Sequence, residues 1–447
     1  MGNVLIVWFG ISGKSAAKLC LNNGYNVYVY DEKDIREFGL DEKELSHYIF
    51  IDKTNLFSNK TKFEFAVISP AVLPGNEIHD FLQSKGIVML SEIELGYRYC
   101  DGNIIAITGT NGKTSTAWIC SRVFEMLGKD NGVYGNLGIG FAETSPKIAC
   151  NETIILEVSA QHLHATELFH PHISVITNIN PEHQSNYVCF EDYVNDKYKI
   201  FANQQKNDYC ILNYDDTRLA MLENKINATV LGFSKKQRLK KGASFLNGTL
   251  YIDENDYHRV IYLGTSLRRD YIEHILIVAL ILKILDISFD DAILKLIPNI
   301  KFEDRLEVFN KFNKRLFVND SKATNPYSTI FALESFTNIV LICGSNLKKK
   351  NDYHDLIRAI EKKGCWVVLY RESGEILFQE LEERKYEKMI YVKDLKDAIE
   401  QAYEVSNVGD VIVFSPGGNS SPLYENLYER GRIFKELTNS FLREKNI

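Results

Sequence analysis

The sequence predicts an α/β protein whose 447 residues divide into three tandem domains built on parallel sheets. Three observations carry that prediction. Short β-rich runs alternate with helical patterns nearly throughout, as successive βαβ units require. Three of those runs, Val4–Phe9, Ile104–Thr108 and Leu316–Asn319, each look like the first strand of a new domain. The length also exceeds what one ordinary core fills. Boundaries near 95 and 300 give domains 1–95, 96–300 and 301–447.

In the first domain, Val4–Phe9 reads as a buried strand, Gly10-Ile11-Ser12-Gly13 as a turn, Lys14–Asn22 as a helix closed near Gly24, and Val27–Tyr30 as the next strand. In the second, Ile104–Thr108 is a buried strand leading through a glycine turn to the helix Thr116–Leu127. Thr153–Glu157 and Ile173–Thr177 are further apolar strands. Residues 229–263 read as turn-rich, with a basic run, Lys235-Lys236-Gln237-Arg238-Leu239-Lys240-Lys241, expected to be a solvated loop. In the third domain, Ile339–Cys343, Cys365–Tyr370, Met389–Val392 and Val411–Phe414 are strands separated by helical stretches.

Composition narrows the function. Hydrophobic residues make up 45% and charged residues 25%, ordinary for a globular protein. A net charge of −7 argues against a general nucleic-acid binder. No apolar stretch reaches the roughly 18 residues that span a bilayer, and the N-terminus lacks the basic flank and cleavage site of a signal peptide. The eight cysteines are scattered without a C-x-x-C pair, which fits a reducing cytoplasm and thiols used as small core residues.

The first glycine turn falls short of a dinucleotide fingerprint, because Trp8 stands where G-x-G-x-x-G needs its first glycine. Gly10 and Gly13 still allow a tight strand-to-helix turn whose N–H groups can receive a diphosphate. Asp31, about 20 residues on, is placed to accept ribose hydroxyls. A plain βαβ turn without a ligand explains the same residues.

Thr108-Gly109-Thr110-Asn111-Gly112-Lys113-Thr114-Ser115 is far more specific, since it follows a buried strand and opens a helix as a phosphate loop must. Glycines let the backbone approach phosphate oxygens, and the helix N-terminus adds positive potential. Lys113 is expected on the terminal phosphates and Thr114 on Mg²⁺. The loop is a shortened variant, because the usual first glycine falls at Ile107.

Glu157 ends an apolar strand with the oxygen ligand a hard cation prefers. His183 follows the next strand, in Asn178-Ile179-Asn180-Pro181-Glu182-His183, and is a candidate for a second Mg²⁺, though a loop histidine by itself reads equally as structural. Lys197 shares a helical stripe with Phe190, Val194 and Phe201, which points it inward among aromatics. A desolvated, neutral amine can add CO₂ to become a carbamate that supports a metal; a lysine snorkelling to water also fits the stripe.

In the third domain Asp320-Ser321-Lys322-Ala323-Thr324-Asn325-Pro326 follows a strand, with Asn325 as N-cap and Pro326 at the first helical position. This makes another anion-friendly helix N-terminus beside Lys322. Ser415-Pro416-Gly417-Gly418-Asn419-Ser420-Ser421 is rich in donors and suits a carboxylate, or is an ordinary connection.

Taken together, the Gly109–Ser115 loop, the Asp320–Pro326 motif and the roughly 100 residues before the loop resemble the Mur ligases, and among them the D-glutamate-adding members, over essentially the whole chain. The resemblance implies three Rossmann-like domains, the central one of P-loop ATPase type. It implies a cytoplasmic, ATP-dependent ligase that phosphorylates the terminal carboxylate of UDP-N-acetylmuramoyl-L-alanine and lets the amine of D-glutamate attack the acyl phosphate, in peptidoglycan precursor synthesis. A monomer is expected.

By matching positions, Ile11, Ser12, Asp31, Ser69 and Ala71 line the UDP side, Asn136 and His183 reach the muramoyl-alanine end, and Ser159 is a further substrate-binding residue. Gly109, Thr110, Asn111, Gly112, Lys113, Thr114 and Ser115 hold ATP, with Arg305 and Asp320 on the nucleotide from the third domain. Thr114, Glu157, His183 and Lys197 as its carbamate surround two Mg²⁺. Lys113, Glu157, His183 and Lys197 form the catalytic group. Lys322, Thr324, Lys348 and Ser420 surround D-glutamate.

Four departures stand out: Ser159-Ala160-Gln161-His162, Gln184-Ser185-Asn186, Arg269-Asp270-Tyr271-Ile272-Glu273 with Glu273 in place of an adenine-side asparagine, and Leu427 in place of an aromatic. They keep two rivals open, another amino-acid ligase of the same superfamily and a nucleotide-binding regulator without catalysis. A nicotinamide oxidoreductase, suggested by the first glycine turn, is disfavoured by Trp8 and the downstream ATP machinery.

Overall fold

A computed structural model describes the chain apart from residues 1, 34–37, 39, 59–60, 137–139, 182–186, 188, 266, 268, 301–302, 347–352, 419, 421–423, 425–426 and 446–447, and apart from the side chains of 269, 270 and 427. It forms two compact units, residues 1–267 with 271–297, and residues 298–447 with 268–270.

The first unit holds two sheets. In the first, β1 (Asn3–Val7), β2 (Asn26–Tyr30), β3 (Ile49–Phe50), β4 (Phe65–Ile68) and β5 (Val88–Leu90) lie in the order β3-β2-β1-β4-β5. All four pairings are parallel. Strand residues alternate between faces with period two, so Val4 and Ile6 enter one apolar cluster while Leu5 and Val7 enter another. Burial on both faces explains why these strands read as continuous apolar runs.

The second sheet comprises β6 (Asn103–Thr108), β7 (Asn131–Gly135), β8 (Thr153–Glu157), β9 (Ile173–Ile176), β10 (Tyr209–Asn213), β11 (Thr229–Ser234), β12 (Gly242–Leu246), β13 (Thr249–Glu254) and β14 (Tyr257–Tyr262), in the order β14-β13-β12-β11-β10-β9-β6-β8-β7. The region 229–263, read from the sequence as turn-rich, holds four strands. Its connections conceal them: Asn247 (φ 49°) and Gly248 (φ 81°) make a tight left-handed turn, and Asn255 (φ 49°) begins another. Such turns reverse the chain in two residues and leave antiparallel hairpins. The basic run is the solvated loop expected, with Lys236, Gln237, Arg238 and Lys240 exposed; within it Lys235 pairs with Glu273 at 2.5 Å and Arg238 with Asp253 at 3.0 Å.

Two buried carboxylates tie the first sheet's helices to the second domain. Glu92 accepts from Ser15 Oγ at 2.8 Å and the Ala142 amide at 2.6 Å, and Ser15 Oγ accepts from the Glu143 amide at 3.0 Å. Glu94 accepts from the amides of Glu167 and Phe169 at 3.0 and 2.9 Å and from Arg98 Nε at 2.9 Å. Buried carboxylates with this many donors are held in place, because breaking one bond strands a charge.

The second unit carries β15 (Glu307–Phe312), β16 (Arg315–Asn319), β17 (Ile339–Cys343), β18 (Trp366–Tyr370), β19 (Met389–Val392) and β20 (Val411–Phe414), in the order β15-β16-β20-β17-β18-β19. Among the described residues only the β15–β16 pair of this sheet is antiparallel. The expected first strand of this domain thus has a preceding partner, joined by Asn313 (φ 46°) and Lys314 (φ 60°). Again the faces alternate, with Leu341, Val367 and Val413 in one cluster and Val340, Val368 and Ile412 in the other.

Candidate active site

The phosphate-loop sequence sits where the second sheet is best supported. Strand β6 pairs with β8 on one side and β9 on the other, and the helix Lys113–Met126 starts directly after the loop. Gly109 has φ 143°, and a Cβ there would lie 1.9 Å from Thr177 Oγ1, so only glycine fits. Gly112 caps the helix at φ 84°. Thr177 Oγ1 donates to the Asn111 carbonyl at 2.6 Å, and Asn178 braces the loop three times: its carbonyl accepts from the Thr110 amide and its Oδ1 from the Asn111 amide, both at 2.9 Å, and its Nδ2 donates to the Asn111 carbonyl at 3.0 Å. Thr110 Oγ1 donates to the Asn180 carbonyl at 3.1 Å and accepts from the Asn180 amide at 2.9 Å.

Lys113 Nζ donates to the carbonyls of Gly109 and Thr110 at 2.8 and 2.7 Å, holding the loop closed around its own ammonium. Thr114 is half-buried in the first turn and Ser115 is buried. Lys197 is 1% exposed, donates to the Gly109 carbonyl at 2.8 Å and lies 4.5 Å from the centre of the Tyr193 ring. The inward direction expected from the helical stripe is therefore realised, and the ammonium does not reach water.

Glu157 ends β8 in register with Ile107, two residues before the loop. Its Oε1 accepts from Asn136 Nδ2 at 3.0 Å, and its Oε2 is buried with no hydrogen-bond partner. A buried carboxylate oxygen without a partner is costly, and a divalent cation is the partner that satisfies it. The residues present therefore fit a Mg²⁺ ion. Among the described residues no group of three His, Cys, Asp or Glu side chains forms a protein-only metal cage, so phosphate oxygens or water would supply the remaining ligands.

The structure brings Asn136, Glu157, Lys113 and Lys197 around one loop. Ser159 caps the helix Ala160–His164, accepting from the His162 amide at 3.2 Å, and pairs with His162 Nδ1 at 2.8 Å. Burial pulls the His162 ring down to about 4, so this departure from the family pattern is a neutral, hydrogen-bonded core residue. His183 and the Gln184-Ser185-Asn186 stretch lie outside the described residues.

His274 escaped the sequence reading. Its Nδ1 pairs with Thr116 Oγ1 at 2.9 Å, and its Cε1 is the nearest atom to a Cβ built on Gly112, at 3.6 Å. The available signal was its place in the first turns of the apolar helix Arg269–Ile284, one residue after Glu273. Glu273 itself is neutralised by Lys235.

On the first sheet, Ile11, Ser12, Asp31, Ser69 and Ala71 all follow the carboxyl ends of β1, β2 and β4, where open α/β sheets place ligands. Ile11 is 60% exposed at the start of its helix. Asp31 braces the turn, accepting from the Phe9 amide at 2.6 Å and the Lys33 amide at 3.0 Å. Trp8 takes φ 69° in the position a first glycine would fill.

In the second unit, Asp320 is buried and both oxygens are engaged, by the Leu306 amide at 3.2 Å and Ser415 Oγ at 2.7 Å. Burial pushes its carboxyl up to about 7, against the opposing pull of Ser415 and the Arg305 charge. Lys322 Nζ lies 4.7 Å from the centre of the Tyr428 ring. Thr324 and Ser420 are half-buried, and Asn325 caps the helix Pro326–Ser335 as expected, accepting from the Ser328 amide at 3.0 Å. Lys348 and the side chain of Leu427 lie outside the described residues.

Comparison with known proteins decides what this arrangement belongs to. The Mur ligase middle domain matches residues 107–260, and the Mur ligase glutamate ligase domain matches residues 304–418. A UDP-N-acetylmuramoylalanine–D-glutamate ligase of Caldanaerobacter subterraneus subsp. tengcongensis is 32% identical over 443 residues, covering 97% of both chains. The chain belongs to the Mur ligase family. It is therefore an ATP-dependent, amide-bond-forming ligase. A second Mur ligase of the same description, from Alkaliphilus oremlandii, is 29% identical and covers 99% of both chains. The fold agrees: the MurF ligase of Thermotoga maritima in complex with ADP superposes with a TM-score of 0.60 at 16% identity, covering 99% of this Mur ligase and 96% of that chain. Among the described residues no helix is long and apolar enough to cross a membrane.

Proposed function

We propose that this Mur ligase joins D-glutamate to UDP-N-acetylmuramoyl-L-alanine in the cytoplasm, using ATP and Mg²⁺. Similarity over nearly the full length to ligases of that name supports the substrates. The observation that carries the chemistry is the partnerless buried oxygen of Glu157 beside a phosphate loop already shaped by Gly109 and Gly112.

In this reading residues 1–95 bind the UDP end through Ile11, Ser12, Asp31, Ser69 and Ala71. Residues 96–300 carry the reaction, and 301–447 bring the amino acid. The N–H groups of residues 109–115 cradle the phosphates, and Lys113 exchanges its two loop carbonyls for the terminal phosphate oxygens. Arg305 sits on the nucleotide side, and Asp320 shapes the loop beneath it. Thr114, Glu157, His183 and Lys197 would hold Mg²⁺, Lys197 after its amine adds CO₂ and loses a proton to become a carbamate. Bound Mg²⁺ offsets the charge crowded between phosphate and carboxylate.

The terminal carboxylate of the alanine takes the γ-phosphoryl group, giving an acyl phosphate and ADP. The amine of D-glutamate attacks the acyl carbon, and the tetrahedral intermediate collapses with loss of phosphate to leave the amide. Asn136, Ser159 and His183 orient the muramoyl-alanine end. Lys322, Thr324, Lys348 and Ser420 orient D-glutamate, so that a bimolecular attack becomes a positioned one.

The test is phosphate release by the full chain with ATP, Mg²⁺ and UDP-N-acetylmuramoyl-L-alanine across a panel of D- and L-amino acids. Release stimulated by D-glutamate alone, with the ligated mass, is expected. Stimulation by a different amino acid would move the assignment to another ligase of the superfamily.

A further inference from the structure

The first and second sheets meet along a seam of packed helices, and two histidines face each other across it. His79 lies in the helix Glu77–Ser84, between β4 and β5 of the first sheet, and is 4% exposed. His164 ends the helix Ala160–His164, which follows β8 of the second sheet. The ring centres are 5.7 Å apart and the planes are inclined at 45°. The seam beside them is apolar. Ala165, next to His164, is buried in the same cluster as Ile78 and Leu82 of the first-sheet helix, and its carbonyl accepts from the Ser91 amide at 2.7 Å.

The two rings are provided for unequally. His164 Nδ1 pairs with Asp196 Oδ2 at 2.9 Å, and Lys199 Nζ reaches Asp196 Oδ1 at 2.9 Å and the His164 carbonyl at 2.7 Å. His164 thus has a buried carboxylate of its own, braced by a lysine. His79 Nδ1 has Asp80 Oδ1 at 3.3 Å, but that carboxylate is 58% exposed and the same oxygen accepts from the Gly75 amide at 3.2 Å. Among the described residues, Asp80 on its own helix and His164 on the facing one are the charged or titratable groups that act on His79; Asp196 and Lys199 stand behind His164. Burial holds the His79 ring below the usual imidazole range, Asp80 pulls it back in part, and His164 adds to the depression.

A proton taken up by His79 therefore charges a buried ring with one weak, solvent-exposed partner. If His164 is charged as well, two cations repel across 5.7 Å of apolar seam. The close-packed cores on either side resist deformation, so the seam is the part that yields.

We propose that His79 and His164 form an acid-sensitive latch between the first domain and the central one, closed while His79 is neutral and loosened when both rings are charged. The latch touches both sides of the reaction. The His79 helix follows the segment of Ser69 and Ala71, and the Asp196 that holds His164 belongs to the helix of Lys197. A ring held low by folding contributes stability that is full above its unfolded value, about 6.5, and is lost as pH falls below it.

The experiment melts the full chain from about pH 7.5 to about pH 5.5 as wild type, His79→Phe, His164→Gln and the double variant. On acidification the wild type should lose about 3 °C or more beyond the loss of His79→Phe. In the His164→Gln background the same substitution should gain less, because the facing charge is gone. Should His79→Phe fail to fold, His79→Gln gives the same comparison with a neutral polar side chain. Parallel curves for wild type and the His79 variant overturn the latch. So does an equal gain in both backgrounds, which would make His79 a buried histidine with no tie to the seam. The KM for UDP-N-acetylmuramoyl-L-alanine should also rise about threefold or more on acidification in the wild type and stay level in His79→Phe, and equal changes in both overturn the latch. Melting needs no substrate, so failure of the proposed ligation is seen separately and leaves the first comparison standing.

Discussion

Lys197 donates to the Gly109 carbonyl at 2.8 Å, the same oxygen that Lys113 holds at 2.8 Å. Two ammonium groups thus converge on one backbone oxygen of the phosphate loop, one from the helix the loop opens and one from a buried position beneath. In the proposed reaction, phosphates entering the loop would draw Lys113 outward and leave Lys197 as the inner support. Lys197→Ala should lower turnover about a hundredfold while leaving binding of the UDP substrate nearly intact. Added bicarbonate should raise the wild-type rate and leave the variant's unchanged if the amine works as a carbamate. Equal response of both proteins would remove that role.

Glu157→Gln keeps the shape and the bond from Asn136 Nδ2, because Gln Oε1 accepts as the carboxylate did. It removes the negative charge at the buried oxygen that lacks a partner. The Mg²⁺ concentration for half-maximal rate should rise by about tenfold or more, with an unaltered melting temperature. A Mg²⁺ titration that overlays the wild type would show that Glu157 holds no metal.

Gly109→Ala forces a methyl group to within 1.9 Å of Thr177 Oγ1 at φ 143°, whereas Gly112→Ala, at φ 84°, meets nothing nearer than 3.6 Å. The first change should cost about 1–3 kcal/mol and abolish ATP binding, since Thr177 must abandon its bond to Asn111. The second should be the milder in both readouts. Thermal melting with and without ATP compares them, and the reverse order would refute this account of the loop.

Asp320 carries a folded-state pKa raised to about 7, chiefly by burial. A carboxyl raised by folding contributes stability that is full below its unfolded value, about 3.9, and is lost as pH climbs through the folded value. Asp320→Asn is neutral throughout, so its stability relative to wild type should improve from about pH 4 to pH 8, by on the order of 4 kcal/mol at most. Melting curves of the two proteins that run parallel across that range would show that the carboxyl does not titrate there.

Much of this molecule was legible from residue order alone. Period-two burial on both sheet faces writes strands as unbroken apolar runs, which is why Ile339–Cys343, Met389–Val392 and Val411–Phe414 have the bounds expected of them. The hairpins of residues 229–263 were missed because their turns occupy two residues each and their strands, Tyr257–Tyr262 above all, are half exposed and only weakly patterned. The antiparallel partner of Arg315–Asn319 was missed for the same reason.

By itself the sequence determined the local chemistry: a glycine-rich loop between a buried strand and a helix, a lysine on the apolar face of another helix, and an N-cap followed by proline. These depend on neighbours a few positions apart, so spacing suffices to read them. Only the tertiary structure decided that Lys197 and Lys113 share one carbonyl, that one oxygen of Glu157 lacks a partner, that His274 reaches Thr116, and that His79 faces His164 across the seam between two sheets. Each of these is a statement about which groups meet after strands distant in sequence have paired. Hydrogen-bond satisfaction and desolvation are properties of that meeting, and no residue carries them before the chain has folded.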